Sequence, residues 1–158
     1  MNVNLERITP DMARNFWEMA TDSGVAKFLP DFVRDYKSTC EMVDEFSKYD
    51  FHRNHAYMIF CDKNPVGFLS AEYSREYGGF YTCCFLASNF RGKGIMAKAI
   101  NSLLNILEAK GLEDIPLIFD ISEDNFPSIH LAEKLKSRKL KVYTDAYGKT
   151  YRLYRLYA

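Results

Sequence analysis

The stretch NFRGKGIMAKAI, residues 89–100, sets Arg91, Gly92, Lys93 and Gly94 directly before an apolar helical repeat. Met96, Ala99, Ile100, Leu103, Leu104 and Leu107 recur at helical spacing, and Gly111 stands where that helix would terminate. The first N–H groups of a helix have no internal partner, and the macrodipole places partial positive charge there. Glycines leading into such a start let the backbone turn tightly and remove the Cβ that would hold an anion away. Arg91 and Lys93 add cationic charge at the same spot. Solvated surface charge is the plainer reading of these two, but the flanking glycines favour a phosphate cradle, suited to the pyrophosphate of a nucleotide-type cofactor.

Two other glycine motifs are excluded. A Walker A loop needs G-x-x-x-x-G-K-S/T, yet Gly92-Lys93 is followed by Gly94 and its first glycine position holds Ala87. A dinucleotide-binding G-x-G-x-x-G would need glycine at position 97, which is Ala97, and the strands before the turn read as an antiparallel meander.

That meander comprises HAYMIFC (55–61), PVGFLSAEY (65–73) and FYTCCFLA (80–87), separated by the turn chemistry of DKNP and REYGG. Upstream, NVNLERI alternates as a strand, and TPDMARNFWEMA carries a helix start with Thr9 as N-cap and Pro10 at the first helical position. DSGVAKFLPDFVRDY, broken by Gly24 and Pro30, reads as a loop. STCEMVDEFSKYD reads as a second helix, with Ser38 and Glu41 at capping-box spacing. Downstream of the glycine turn, PLIFDI (116–121) is an apolar strand interrupted only by Asp120. SEDNFPSIHLAEKLKSR is a helix with acid first and base last, and LKVYTDAYGKTYRLYRLY closes as a hairpin. The predicted order is β-α-α-β-β-β-α-β-α-β-β: an α+β fold with six or seven mostly antiparallel strands and about four helices.

Length bounds this reading: 158 residues fit one domain, and 47% hydrophobic content is enough to fill its core. Equal numbers of basic and acidic residues, 21 each, argue against nucleic acid as the main partner. No run is long and apolar enough for a membrane span, and the N-terminus lacks a secretory pattern, so a soluble, cytoplasmic protein is expected. Cys40, Cys61, Cys83 and Cys84 form no metal-spaced cluster and read as buried free thiols in a reduced compartment, with no metal site.

The hexapeptide Arg91-Gly92-Lys93-Gly94-Ile95-Met96 resembles the acetyl-CoA-binding signature Q/R-x-x-G-x-G/A of the GNAT N-acetyltransferase superfamily. The element order is also similar to that family's, over nearly the whole chain. Further on, NFPSIHLAEK resembles the N-x-x-A/S-x-x-x-x-x-K stretch of the branch that acetylates ribosomal-protein N-termini, with Asn125, Ser128 and Lys134 on the matching positions. Three residues depart from the pattern. Met96 stands where Gly or Ala is usual, Ala132 where many members carry a tyrosine thought to protonate the leaving thiolate, and Lys136 where a glycine commonly ends the helix.

The resemblance implies one acyl-CoA N-acyltransferase domain over 1–158, using acetyl-CoA. Pantetheine would lie between two splayed strands, pairing with backbone around Phe85, Leu86 and Ala87. The N–H groups of residues 91–96, including Ile95 and Met96, would hold the pyrophosphate. Asn125 would bond the pantetheine arm, with Ser128 beside it, although Asn125 also reads as a simple helix cap. The implied reaction is direct attack of a primary amine, from a small molecule or a peptide N-terminus, on the thioester. A catalytically silent acyl-CoA-binding module of the same fold is the alternative, motivated by Ala132. A homodimer is compatible with the resemblance.

A base must take the ammonium proton before attack. FYTCCFLA contains no carboxylate, so Glu72 on the preceding strand and Asp120 on the following one are the candidates. Each competes with a structural reading: Glu72 as a solvent-facing strand residue, Asp120 as a buried and hydrogen-bonded one. Ser128 could donate or relay a proton. Tyr143, Tyr147 and Tyr154 could replace the missing acid, whereas His52 and His55 read as surface residues. Acceptor selectivity is expected from residues 22–50, with Phe28, Asp31, Phe32, Asp35 and Tyr36, and from the final hairpin.

Overall fold

In the computed structural model, which describes Met1–Ala158, one seven-stranded sheet threads the chain in the order β1-β2-β3-β4-β5-β7-β6. The strands are β1 Val3–Arg7, β2 Asn54–Cys61, β3 Asn64–Ser74, β4 Gly79–Leu86, β5 Leu117–Ser122, β6 Arg138–Thr144 and β7 Thr150–Leu156. The helices are α1 Ala13–Ala20, α2 Ser23–Ala26, α3 Tyr36–Ser47, α4 Ile95–Ala109 and α5 Phe126–Lys134. Every strand pair is antiparallel except β4–β5, joined through the α4 crossover. The α+β fold and the element order read from the sequence are both present.

Strand alternation divides the residues between two cores. Leu69, Phe80, Leu86, Leu117, Phe119 and Ile121 pack with Ile95, Ala99, Ile100, Leu103 and Leu107 of α4 in a largely aliphatic cluster of 22 buried residues. The opposite face carries Met58, Phe68 and Phe85 against Phe16 of α1 and Val43 and Phe46 of α3, in a second cluster of 13. Phe16 sits at its centre, with ring centroids 4.9 Å from Phe68 and 5.4 Å from Phe85. Removing a ring buried this completely costs about 3–5 kcal/mol, so Phe16 and Phe68 fix how α1 lies on the sheet.

Two helix ends show how local chemistry sets the boundaries. After α4, Gly111 (φ +73°) follows the cap residue Lys110. Gly111 N–H donates to Glu108 O at 3.0 Å and Leu112 N–H to Leu107 O at 2.8 Å, the double bond of a Schellman stop. At the end of α5, Lys136 takes the same left-handed place (φ +60°), with Lys136 N–H on Glu133 O at 2.9 Å and Ser137 N–H on Ala132 O at 3.0 Å. The hydrogen-bond pattern therefore survives the missing glycine, with a lysine held in a conformation disfavoured for L-residues.

Four expectations are corrected. The segment read as a loop contains α2, capped by Asp22, and a 3-10 turn at Pro30–Phe32. α3 starts earlier than expected, because the Asp35 carboxylate accepts from Ser38 N–H at 2.7 Å; Asp35, not Ser38, is the cap. His55 is fully buried rather than on the surface: Tyr57 O–H lies 3.0 Å from its Nδ1 and His52 O 2.8 Å from its Nε2. A carbonyl can only accept, so Nε2 carries the proton and Nδ1 accepts from Tyr57. Of the cysteines, only Cys61 is buried; Cys40, Cys83 and Cys84 are half-buried, and all four are free thiols.

Candidate active site

Two parallel strands that pair for only two residues define the site. β4 meets β5 at Phe80–Leu117 and Tyr81–Ile118, and no pairing continues toward Leu86 and Ser122. Phe80 N–H donates to Pro116 O at 2.8 Å, so even-numbered residues of β4 turn their backbone groups toward β5. By that alternation Cys84 and Leu86 present N–H groups to the gap, whereas Phe85 faces β3. Ala87 is already committed, since its N–H donates to Val66 O at 2.9 Å and its carbonyl accepts from Phe90 N–H at 3.0 Å. Of the three residues expected to pair with pantetheine, Leu86 is the one facing the gap, and Cys84 joins it.

The glycine turn sits at the open end of this gap. Gly92 (φ +74°) and Gly94 (φ +77°) are left-handed, and a Cβ on either would meet nothing within 4 Å. Glycine is therefore demanded here by backbone conformation, not crowding, and the space above the turn is open. Gly94 is the N-cap of α4 and supplies no side-chain cap, so the first-turn N–H groups, including those of Ile95 and Met96, point outward unpaired. Gly92, Lys93 and Gly94 likewise donate no backbone hydrogen bond to another backbone group. The exposed Lys93 ammonium lies 5.5 Å from the centre of the Phe90 ring.

Arg91 behaves differently from Lys93. Its Nε and Nη2 both donate to Leu86 O, at 3.2 and 3.1 Å, so this guanidinium is bound to the end of β4. On the other side of the gap, Asn125 caps α5, its Oδ1 accepting from Ser128 N–H at 3.4 Å while the amide nitrogen makes no protein bond. Lys134 is exposed further along the same helix.

The face bearing Phe68 and Phe85 also carries the candidate bases. Register places Glu72 opposite Tyr81 and aligns Tyr81 with Ile118, so Glu72, Tyr81, Cys83 and Asp120 share one side of the sheet. Each carboxylate accepts from a tyrosine: Tyr49 O–H to Glu72 Oε1 and Tyr143 O–H to Asp120 Oδ2, both at 2.6 Å. Burial and the paired carboxylate push both phenols well above their usual range, keeping them protonated as donors. Burial likewise pushes the Cys83 thiol up to about 11, helped by the charges of Glu72, Asp120 and Asp31 around it. Asp120 differs from Glu72 in one respect: its second oxygen, Oδ1, is buried with no partner. A buried acceptor left unpaired costs about 1–3 kcal/mol, so such an atom calls for an explanation.

Neither Tyr154 nor Tyr147 joins that face. Tyr154 is buried in the α4-side core that also holds Ala132, its hydroxyl unpartnered, and Tyr147 at the hairpin tip is 96% exposed. His52 is exposed and donates its backbone N–H to Asp50. The sequence reading missed Asp22, Ser88, Tyr49 and Cys84. Asp22 was the most legible, because Asp-Ser-Gly before a short apolar run is a cap signal.

The profile of the Acetyltransferase (GNAT) family matches residues 25–136, well over half of the chain. The chain belongs to the GNAT acetyltransferase family. Among solved GNAT structures, RimL, a ribosomal L7/L12 alpha-N-protein acetyltransferase in complex with coenzyme A, superposes with a TM-score of 0.86 at 18% identity, covering 99% of this chain and 94% of that one. An acetyltransferase from Salmonella typhimurium that modifies the N-terminal serine of the same ribosomal protein gives 0.85 at 17% identity, covering 100% and 96%. AAC(6')-Ib in complex with parmomycin and acetyl-CoA gives 0.79 at 16% identity, covering 97% and 93%. At such identities the likeness shows the GNAT fold. A search of curated protein sequences found no match. No helix is long and apolar enough to cross a membrane.

Proposed function

We propose that the chain is an N-acetyltransferase that moves the acetyl group of acetyl-CoA onto a primary amine, of a small molecule or of a peptide N-terminus. The observation that carries this reading is the two-residue β4–β5 pairing, which opens a gap lined by free backbone groups beside an uncapped, glycine-fronted helix start. These groups fit coenzyme A: the N–H groups of residues 92–96 and the Lys93 ammonium would hold the pyrophosphate, Cys84 and Leu86 would pair with the pantetheine amides, and the free amide nitrogen of Asn125 would donate to it. Structural neighbours crystallised with coenzyme A or acetyl-CoA support the same assignment.

The cofactor supplies an activated acyl thioester. Leu86 has only its N–H free for pantetheine, because Arg91 holds its carbonyl. Deeper in the gap, the carbonyl of Cys84 would serve the cofactor arm and its N–H would donate to developing negative charge on the thioester oxygen. Oδ1 of Asp120 is the acceptor with spare capacity for an ammonium proton, and Tyr143 fixes that carboxylate in place. Glu72, held by Tyr49, adds negative charge on the far side of Cys83 and favours a cationic acceptor. Burial pushes the Cys83 thiol up to about 11, which favours the thiol over the thiolate that a covalent acyl carrier needs and supports direct transfer. Tyr81 and Tyr77, with ring centroids 5.3 Å apart, form an aromatic wall near this basin.

A panel of small amines and short peptides, screened for coenzyme A thiol release, tests the proposal. At least one acceptor should give saturable release that Asp120→Asn depresses strongly. The alternative, a silent acyl-CoA-binding module, draws on Ala132, which leaves no phenol at that position of α5. Tight cofactor binding with no release from any amine would decide for it.

A further inference from the structure

Arg91 and Asp22 join two parts of the molecule that the acetyl-transfer reading treats separately. The Asp22 carboxylate caps α2, with Oδ1 accepting from Gly24 N–H at 2.9 Å. The same oxygen accepts from Ser88 O–H at 2.7 Å, across 66 residues of sequence, in the 3-10 turn leading to the glycines. Arg91 lies beside this pair. Its Nε and Nη2 hold Leu86 O, while Nη1 packs so closely on Gly24 that a Cβ there would come within 2.6 Å of it. Three segments therefore meet around Gly24, between the Asp22 carboxylate and the Arg91 guanidinium: the end of β4, the turn at 88–94, and the start of the 22–34 segment on the acceptor side. Phe32 extends the link, its ring 6.1 Å from Phe85 and 5.5 Å from Phe16.

We infer that Asp22, Ser88 and Arg91 form a latch that positions the acceptor-side segment 22–34 against the cofactor turn, so that coenzyme A bound at the turn is felt by that segment. In this arrangement Arg91 is a positioning residue, and the phosphate-facing cation of the signature is Lys93. The chemistry of the residues agrees. A guanidinium can bind a carbonyl with one edge and lie along a glycine with the other, which a lysine ammonium cannot. Gly24 has no left-handed φ, so its lack of a side chain answers to the guanidinium packed on it. Ligand coupling through such a link is reciprocal: whatever orders the turn also orders the segment.

The inference rests on coenzyme A binding at the turn, and hydrogen exchange across peptides covering residues 22–34, with and without coenzyme A, keeps the two claims apart. In the wild-type chain, coenzyme A should slow exchange in this segment by about fivefold or more. Gly24→Ala, which keeps every polar group but wedges the guanidinium aside, and Ser88→Ala should bind coenzyme A yet lose that protection. Ser88→Thr, which keeps the hydroxyl, should restore it. Arg91→Lys, which keeps the charge, should also lose it, and thermal unfolding reports that each variant is folded. If the wild-type chain binds coenzyme A and segment 22–34 exchanges at the same rate as before, the latch is refuted while the cofactor site stands. Unaltered protection in folded Gly24→Ala and Arg91→Lys refutes it as well. If coenzyme A does not bind the wild-type chain at all, both claims fall together.

Discussion

The sheet has a closed half and an open half. From β1 through β4 every strand is paired on its inner edges, helices cover both faces, and buried polar groups find partners: Glu72 with Tyr49, and His55 with Tyr57 and the His52 carbonyl. Beyond the β4–β5 gap the pattern reverses. All five buried side-chain atoms without a partner, on Asp120, Ser122, Ser137, Arg152 and Tyr154, lie after residue 119. Unmet hydrogen-bonding capacity costs stability where it is buried, and of these atoms Asp120 Oδ1 belongs to a carboxylate on the sheet face that carries the candidate bases. The two tyrosine–carboxylate pairs make the same point in miniature. They share a 2.6 Å bond and a sheet face, but only Asp120 keeps an oxygen in reserve.

Substitutions in the two halves should therefore fail in different ways. The largest effect is expected at the open carboxylate: Asp120→Asn should lower kcat/KM by about a hundredfold or more, with little loss of thermal stability. Glu72→Gln should cost less than about tenfold. Equal losses at both would erase the distinction. Next comes the turn. Gly94→Ala forces a Cβ into a left-handed backbone and should raise the dissociation constant for coenzyme A about tenfold in calorimetry, the equivalent of about 1–2 kcal/mol of backbone strain.

The closed half should instead show its titration in stability. Burial lowers the pKa of His55, opposed by the His52 carbonyl and the Asp50 charge, while Lys110 and His52 act with burial. A depressed folded value means the unfolded chain takes up the proton first. The stability His55 contributes is therefore present above about pH 6.5 and declines as pH falls below it. Urea midpoints measured from pH 7.5 to 5.5 should drop in the wild-type chain and drop less in His55→Gln. A parallel pH course in the two would remove His55 from the account. The smallest effect belongs to Lys136. Lys136→Gly relieves the left-handed lysine while keeping the Schellman bonds, and should raise stability by about 1 kcal/mol with activity unchanged.

The closed half was also the more legible from sequence. Strands 55–61, 65–73 and 80–87 were read within about a residue of their observed ends, because alternation and turn residues are local signals. The glycine turn and the α4 stop were legible for the same reason. What escaped depended on distant partners. Nothing near His55 announces that Tyr57 and a carbonyl will enclose it, and α2 is a single turn whose cap, Asp22, reaches across to Ser88. Asp120 stood out as a polar break in an apolar strand, yet its pairing with Tyr143 required the fold. The signature showed that Arg91 matters but not how: its binding to Leu86 O rather than to solvent is set by tertiary geometry.

Calorimetric titration of the chain with coenzyme A at low and moderate salt tests the central claim most directly. One saturable site per chain is expected, weaker as salt rises and weaker again in Lys93→Ala, as an exposed cation and free N–H groups on a diphosphate require. Binding that is absent, or indifferent to both salt and Lys93, would contradict the claim that the gap between β4 and β5 and its glycine turn are built to hold this cofactor.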